Sequence, residues 1–150
     1  MINSRLYNVD INEYLRGQNL RYFKGVFSAD NIPNFESNFV IICNLSNVLE
    51  VGSHFVVIAR IQNDLYYLDS LAVNFINEKL KMYMDRLKNN SGCINYLTKP
   101  IQSIFSSGCG IYCIFFTLLL HASEPIDALL PFKELKFNDE ICIGNIFLLT

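Results

Sequence analysis

Residues 54–69 read HFVVIARIQNDLYYLD, two runs rich in apolar and β-branched residues with a polar step between them. Such runs are typical of β-strands, and Gln62-Asn63-Asp64 has the composition of a short hairpin turn. The stretch therefore predicts an antiparallel pair of strands, His54 to Ile61 and Leu65 to Asp69. Because the first strand of a hairpin starts beside the end of the second, we expect His54 and Asp69 to be neighbours.

Further elements are predicted on both sides of this hairpin. The continuous apolar run from Asn38 to Cys43 predicts a central strand, and the pattern from Cys93 to Leu97 predicts another. Helical spacing of apolar residues predicts helices at 9–16, with Asp10 as N-cap, and at 74–90. Aromatic and turn residues alternate from Phe23 to Pro33, which favours an ordered loop.

The segment from Cys109 to Ala122 is apolar nearly all round, which predicts a buried central helix. Strands flanked by helices without regular βαβ alternation favour an α+β fold with a mixed or antiparallel sheet. At 150 residues, with 51% hydrophobic and 17% charged residues, the chain is predicted to be one globular domain, residues 1–150.

The charge and the apolar segments exclude several function classes. A net charge of −2 makes a nucleic-acid partner improbable. The N-terminus lacks the apolar stretch of a signal peptide, and Ile111 to Leu120 is too short to span a bilayer. The five cysteines form no CxxC pair, which speaks against a disulfide scaffold or a metal site. We therefore expect a soluble protein of a reducing compartment that is neither secreted nor membrane-bound.

Cys109 is the candidate nucleophile. It stands where the buried helix is predicted to begin, and a helix N-terminus favours the ionised thiol. The small residues of Ser106-Ser107-Gly108-Cys109-Gly110 leave room for a substrate backbone. Cys43, Cys113 and Cys142 lie in apolar runs and are expected to pack in the core. His121, at the end of the same helix, is expected to interact with the last carbonyls of that helix.

Three further residues complete a candidate hydrolytic site. His54 is the expected base, and Asp69 is expected to hold the Nδ1 hydrogen of His54. Gln102 precedes Cys109 in a loop, where its amide can donate to an oxyanion beside the Cys109 backbone N–H. Taken singly, each residue has another explanation: His54 fits a histidine that caps a strand, Asp69 fits a turn residue, and Gln102 fits a surface residue. The hypothesis of a hydrolytic site therefore rests on their order along the chain together with Cys109.

Taken together, these residues resemble the adenovirus-type maturation proteases (adenain), which belong to the same clan of cysteine proteases as the Ulp-type SUMO proteases. The resemblance covers approximately residues 20–122 and rests on five pieces: Phe23 to Pro33, Gly52 to Phe55, Tyr66 to Ser70, Gln102, and Ser107 to Cys113. It implies an adenain/Ulp-like fold with His54 as base, Asp69 as orienting acid, Gln102 as oxyanion-hole donor and Cys109 as nucleophile.

The chain departs from the adenoviral pattern in three ways. Phe55 follows the histidine where the family usually has Trp, and the acid is Asp69, as in the Ulp-type branch, where adenoviral enzymes tend to have Glu. Much of the adenoviral C-terminal part has no counterpart here.

A cysteine of adenoviral relatives links to an activating peptide, and Cys93 stands near that place.

The function implied by the resemblance is that of a cysteine endopeptidase. Its expected substrates are capsid or core precursor proteins of a virus or virus-like element, cut after small residues such as Gly. The expected location is the virion and the host-cell interior, nucleus or cytoplasm. No cofactor is implied, although an activating peptide bound through Cys93 is an open hypothesis. Two alternatives stay open: a protease of SUMO or ubiquitin-like modifiers, and a catalytically inert binding module with the same fold.

Overall fold

The structure is a computed structural model that describes residues 8–45, 54–73, 77–88, 94–102, 108–122, 143–144 and 146. Eight elements have their bounds within these residues. In chain order they are α1 (Asn8–Arg16), β1 (Phe23–Ser28), β2 (Phe39–Asn44), β3 (Phe55–Ile61), β4 (Asp64–Leu68), α2 (Glu78–Lys88), β5 (Ile94–Tyr96) and α3 (Cys109–His121).

The five strands form one sheet in the order β1-β2-β3-β4-β5. The central strand β3 is antiparallel to both β2 and β4, whereas the outer strands β1 and β5 pair in parallel with β2 and β4. The sheet is therefore mixed, and the predicted α+β class is confirmed. The predicted hairpin is also confirmed. Strand β3 begins at Phe55, one residue after the predicted start, and β4 ends at Leu68, one residue before the predicted end.

Helices cover both faces of the sheet. Alternate residues of a strand point to opposite faces, and β2 accordingly places Val40 and Ile42 in one apolar cluster and Ile41 and Cys43 in the other. The first cluster also contains the buried residues of α1 and α3, and the second contains those of α2. The result is a three-layer arrangement with the sheet in the middle.

Two predicted central elements are confirmed. All six residues of β2 are buried, as expected for a central strand. In α3 every residue from Cys109 to Leu120 is buried, as the uniform apolar composition of the segment predicted. Within the described ranges, none of the helices has the length and apolar character needed to cross a membrane.

Two predictions near the N-terminus are wrong. The segment from Phe23 to Pro33 begins with strand β1 rather than a loop, because pairing with β2 supplies its hydrogen bonds and Phe23 joins the apolar cluster that also contains the buried residues of α1. The strand is bulged at Gly25, whose φ of 136° is rarely adopted by residues with a side chain. Asp10 is not an N-cap, since α1 already begins at Asn8 and places Asp10 in its first turn.

The remaining elements match in type and differ in extent. The predicted helix at 74–90 is α2, which starts at Glu78. The side chain of the preceding residue, Asn77, accepts a hydrogen bond from the Leu80 N–H at 3.2 Å. The predicted strand from Cys93 to Leu97 is β5, which contains Ile94 to Tyr96. Cys93 and residues 74–76 lie outside the described residues.

Candidate active site

His54 and Asp69 meet at the open end of the β3–β4 hairpin. The register of that hairpin pairs Val57 with Leu68, so the residues just beyond these strands are brought side by side. The His54 Nε2 lies 2.7 Å from the Asp69 Oδ1. The same oxygen accepts the Leu71 N–H at 2.9 Å, which orients the carboxylate. Asp69 is fully buried, whereas the His54 side chain keeps 16% of its exposure.

The nitrogen that faces the acid differs from the prediction. Asp69 was expected to hold Nδ1 of the imidazole, and it contacts Nε2 instead. The ring also forms a hydrogen bond with Cys109. With Nε2 engaged by the carboxylate, Nδ1 is the nitrogen available to the thiol. His54 therefore lies between Asp69 and Cys109 as predicted, but Nε2 faces the acid where Nδ1 was expected.

The charge of His54 reflects these two contacts. Burial lowers the pKa of the imidazole, but hydrogen bonds to Asp69 and Cys109 and the negative charges of both groups outweigh burial and raise the pKa from 6.5 to about 9. The Asp69 Oδ2 is buried and accepts no hydrogen bond within the described part of the chain. A carboxylate in such surroundings favours a positive charge beside it, and the imidazolium supplies that charge.

Cys109 is the first residue of α3. The N-cap is Gly108, which offers no side chain to the helix end. Cys109 is thus in the first turn of α3, and the N-terminal end of a helix carries partial positive charge that favours a thiolate. Cys109 is 7% exposed and belongs to the apolar cluster shared by α3 and the sheet. The helix thus holds the thiol at the border between core and surface.

Gln102 is buried, with 2% exposure, so it is not a surface residue. Its backbone N–H donates to the Ser70 carbonyl at 3.0 Å, and its Oε1 accepts a hydrogen bond from the Ser70 hydroxyl. The carbonyl of the preceding residue, Ile101, accepts the hydroxyl of Tyr112 at 3.4 Å. Gln102 is therefore held between the end of β4 and the first turn of α3, the two places that carry Asp69 and Cys109.

The structure adds Ser70 to the predicted set of residues. In the sequence, a serine directly after Asp69 at the end of a strand looks like an ordinary turn residue. The signal that pointed to it was its position, since a residue next to the orienting acid shares the same end of the sheet. Its 1% exposure and its hydrogen bond to Gln102 could be learned only from the fold.

The other candidate residues lie away from this site or outside the described residues. Cys43 and Cys113 are buried, which confirms their predicted packing role. The His121 Nδ1 lies 2.7 Å from the Thr117 carbonyl, which confirms the predicted contact with the helix end. Its Nε2 accepts the Tyr22 N–H at 3.1 Å, a contact that was not predicted. The hypothesis about Cys93 falls outside the described residues, as do Cys142, Ser106 and Ser107.

The sequence matches no known protein family and no curated protein. Among solved structures, the SUMO protease Ulp1 with its catalytic cysteine oxidised to a sulfenic acid is similar, with 20% identity and a TM-score of 0.41 over 73% of this chain. ChlaDub1 from Chlamydia trachomatis is similar with 16% identity and a TM-score of 0.41, again over 73% of this chain. The similarity spans 52% of the first of those chains and 60% of the second.

Proposed function

We propose that this protein is a cysteine endopeptidase. Cys109 is the nucleophile, His54 the base and later the acid, and Asp69 the residue that orients His54. The Gln102 amide and the Cys109 backbone N–H stabilise the oxyanion. The observation that carries the proposal is the imidazole of His54, which bridges a fully buried carboxylate and the thiol at the start of a buried helix.

The geometry suits a two-step acyl transfer. The thiolate attacks the peptide carbonyl carbon, and the carbonyl electrons move to the oxygen, where Gln102 and the helix start donate hydrogen bonds. When the tetrahedral intermediate collapses, the C–N bond breaks and the imidazolium gives its proton to the leaving amine. A water then attacks the thioester while neutral His54 takes its proton, which releases the acid and restores the thiolate–imidazolium pair.

The substrate class is the finer part of the proposal. The resemblance in sequence supports capsid or core precursor proteins of a virus or virus-like element, cut after small residues such as Gly, in the virion and the host-cell interior. It also supports an activating peptide as partner, attached through Cys93. The Asp at position 69 is the feature shared with the Ulp-type branch, so cleavage of ubiquitin-like modifiers is the rival outcome.

The first test is labelling with limiting iodoacetamide near pH 6, read by intact mass and peptide mapping. In the wild type we expect fast alkylation at Cys109 alone, because its thiol contacts the imidazole of His54, which activates it as a nucleophile. His54→Ala should abolish this selectivity, whereas His121→Gln, a change in the other histidine, should leave it intact. Equal, slow labelling of several cysteines in the wild type contradicts an activated pair and favours an inert binding module.

The second test is hydrolysis. A fluorogenic peptide library with Gly before the cut bond, and SUMO and ubiquitin fusions, are incubated with wild type and Cys109→Ala. Turnover of the peptides that disappears in the variant supports the endopeptidase. Turnover of the modifier fusions alone assigns the protein to the rival substrate class. If neither the peptides nor the modifier fusions are hydrolysed while Cys109 is still alkylated selectively, the Cys–His pair exists but the proposed endopeptidase activity is refuted.

A further inference from the structure

The end of strand β4 supplies two consecutive buried residues to the site. Asp69 faces His54, and Ser70, next in the chain, faces Gln102. The Ser70 carbonyl accepts the N–H groups of Ile101 at 2.9 Å and of Gln102 at 3.0 Å, while its hydroxyl donates to the Gln102 Oε1. The backbone of Ser70 therefore positions the loop, and its side chain contacts the reactive end of the glutamine.

A glutamine amide has two chemically opposite ends. The oxygen only accepts hydrogen bonds and the nitrogen only donates them, yet the two ends have nearly the same shape. A half-turn about the last side-chain bond would exchange them and present the oxygen to a developing oxyanion, which would be repelled. An oxyanion hole built on a glutamine therefore needs a partner that engages the amide oxygen.

We propose that Ser70 is the positioning residue of the oxyanion hole: its hydroxyl engages the Gln102 oxygen and so directs the amide nitrogen toward the substrate oxyanion. The inference rests on the proposed function of the site. Two consecutive residues after β4 then orient the two parts of the site: Asp69 orients the base, His54, and Ser70 orients the oxyanion donor, Gln102.

Ser70→Ala isolates the hydroxyl. The substitution keeps the backbone carbonyl and both of its hydrogen bonds, so the loop of Gln102 stays anchored. Thr117→Val is a matched control, because it also removes one fully buried hydroxyl, which donates to the Cys113 carbonyl at 2.8 Å within α3. Any loss of activity that comes only from lower stability should appear in both variants.

Two reactions of Cys109 separate positioning from general damage. Alkylation by iodoacetamide forms no oxyanion, whereas peptide hydrolysis does. We expect Ser70→Ala to lower kcat by about 10-fold to 100-fold with little change in KM, below the roughly 100-fold to 1,000-fold loss typical of a deleted oxyanion donor. Alkylation of Cys109 should stay at the wild-type rate. The Ser70→Ala/Gln102→Ala double variant should be no slower than Gln102→Ala alone, because the two residues act as one unit.

Several results overturn the inference. They are a wild-type kcat in Ser70→Ala, an equal loss in Thr117→Val, a parallel loss of alkylation, or independent effects of Ser70→Ala and Gln102→Ala. Each requires a wild type that hydrolyses substrate, so each leaves the proposed function standing. A wild type that alkylates selectively but hydrolyses nothing refutes the proposed function, and the role of Ser70 with it.

Discussion

The imidazole of His54 lies between two acidic groups, and its charge can be measured directly. We expect the ring to titrate with a midpoint near 9, because both neighbours stabilise the imidazolium. Asp69→Asn and Cys109→Ala should each lower the midpoint, since each removes one negative partner. Histidine ring signals in NMR spectra of labelled protein provide the measurement.

The other histidine is the internal control for this titration. Burial lowers the pKa of His121 below 6.5, although its hydrogen bond to the Thr117 carbonyl acts in the opposite direction. The two ring signals should therefore titrate on opposite sides of 6.5. A His54 midpoint at or below 6.5 in the wild type contradicts the arrangement of acid, imidazole and thiol.

At this scale the sequence was informative about which residues meet and uninformative about how their side chains are turned. Hairpin geometry alone brought His54 beside Asp69. The choice between Nδ1 and Nε2 depends on the rotation of one ring, which is decided by neighbours from distant parts of the chain. The partnership of Ser70 with Gln102 joins residues 32 positions apart and left no local trace.

The side chain of Asn77 caps the start of α2. The Asn77 Oδ1 accepts the Leu80 N–H at 3.2 Å, and its Nδ2 donates to the Leu45 carbonyl at 3.3 Å. Removing such a cap typically costs about 1 kcal/mol. We expect Asn77→Ala to lower the free energy of unfolding by roughly that amount, as measured by urea denaturation.

Asn77→Asp is the matched variant, because it keeps an accepting oxygen at the cap and replaces the donor to Leu45 with a negatively charged oxygen. Its stability should lie between those of Asn77→Ala and the wild type. Equal stability of the alanine variant and the wild type would show that the start of α2 is held by packing of Leu80 and its neighbours rather than by the cap.

Elements with a continuous apolar sequence were predictable, whereas the outer strand β1 was not. β2 and α3 are apolar along nearly their whole length, so their burial could be inferred from composition. β1 contains Lys24 and Gly25 among its aromatics, which resembles a loop in isolation. It becomes a strand because β2 offers it hydrogen bonds, and strand propensity is largely a matter of such context.

Over the whole molecule, the two histidines lie near opposite ends of α3 and respond to pH in opposite senses. The folded protein raises the pKa of His54, so the stability that His54 contributes is complete below 6.5 and is lost as the pH rises toward 9. The folded protein lowers the pKa of His121, so the stability that His121 contributes is present above 6.5 and is lost as the pH falls below it.

We therefore expect the two histidines together to contribute most to the free energy of unfolding near pH 6.5. Each limb should fall by at most about 1.4 kcal/mol per pH unit, the limit for one proton. Urea denaturation from pH 5 to 8.5 is the measurement. His121→Gln should flatten the acid limb and Asp69→Asn the alkaline limb. An alkaline limb as steep in Asp69→Asn as in the wild type contradicts the stated effect of His54.

The outer strands of the mixed sheet have a consequence for self-association. An open strand edge is a template on which another chain can add, and proteins limit that risk with short strands, bulges and charged side chains. β5 contains only three residues. β1 is bulged between Phe23 and Gly25 and carries the exposed Lys24. Within the described residues, neither outer strand offers a long, regular row of hydrogen-bonding groups, and this limits aggregation through the sheet.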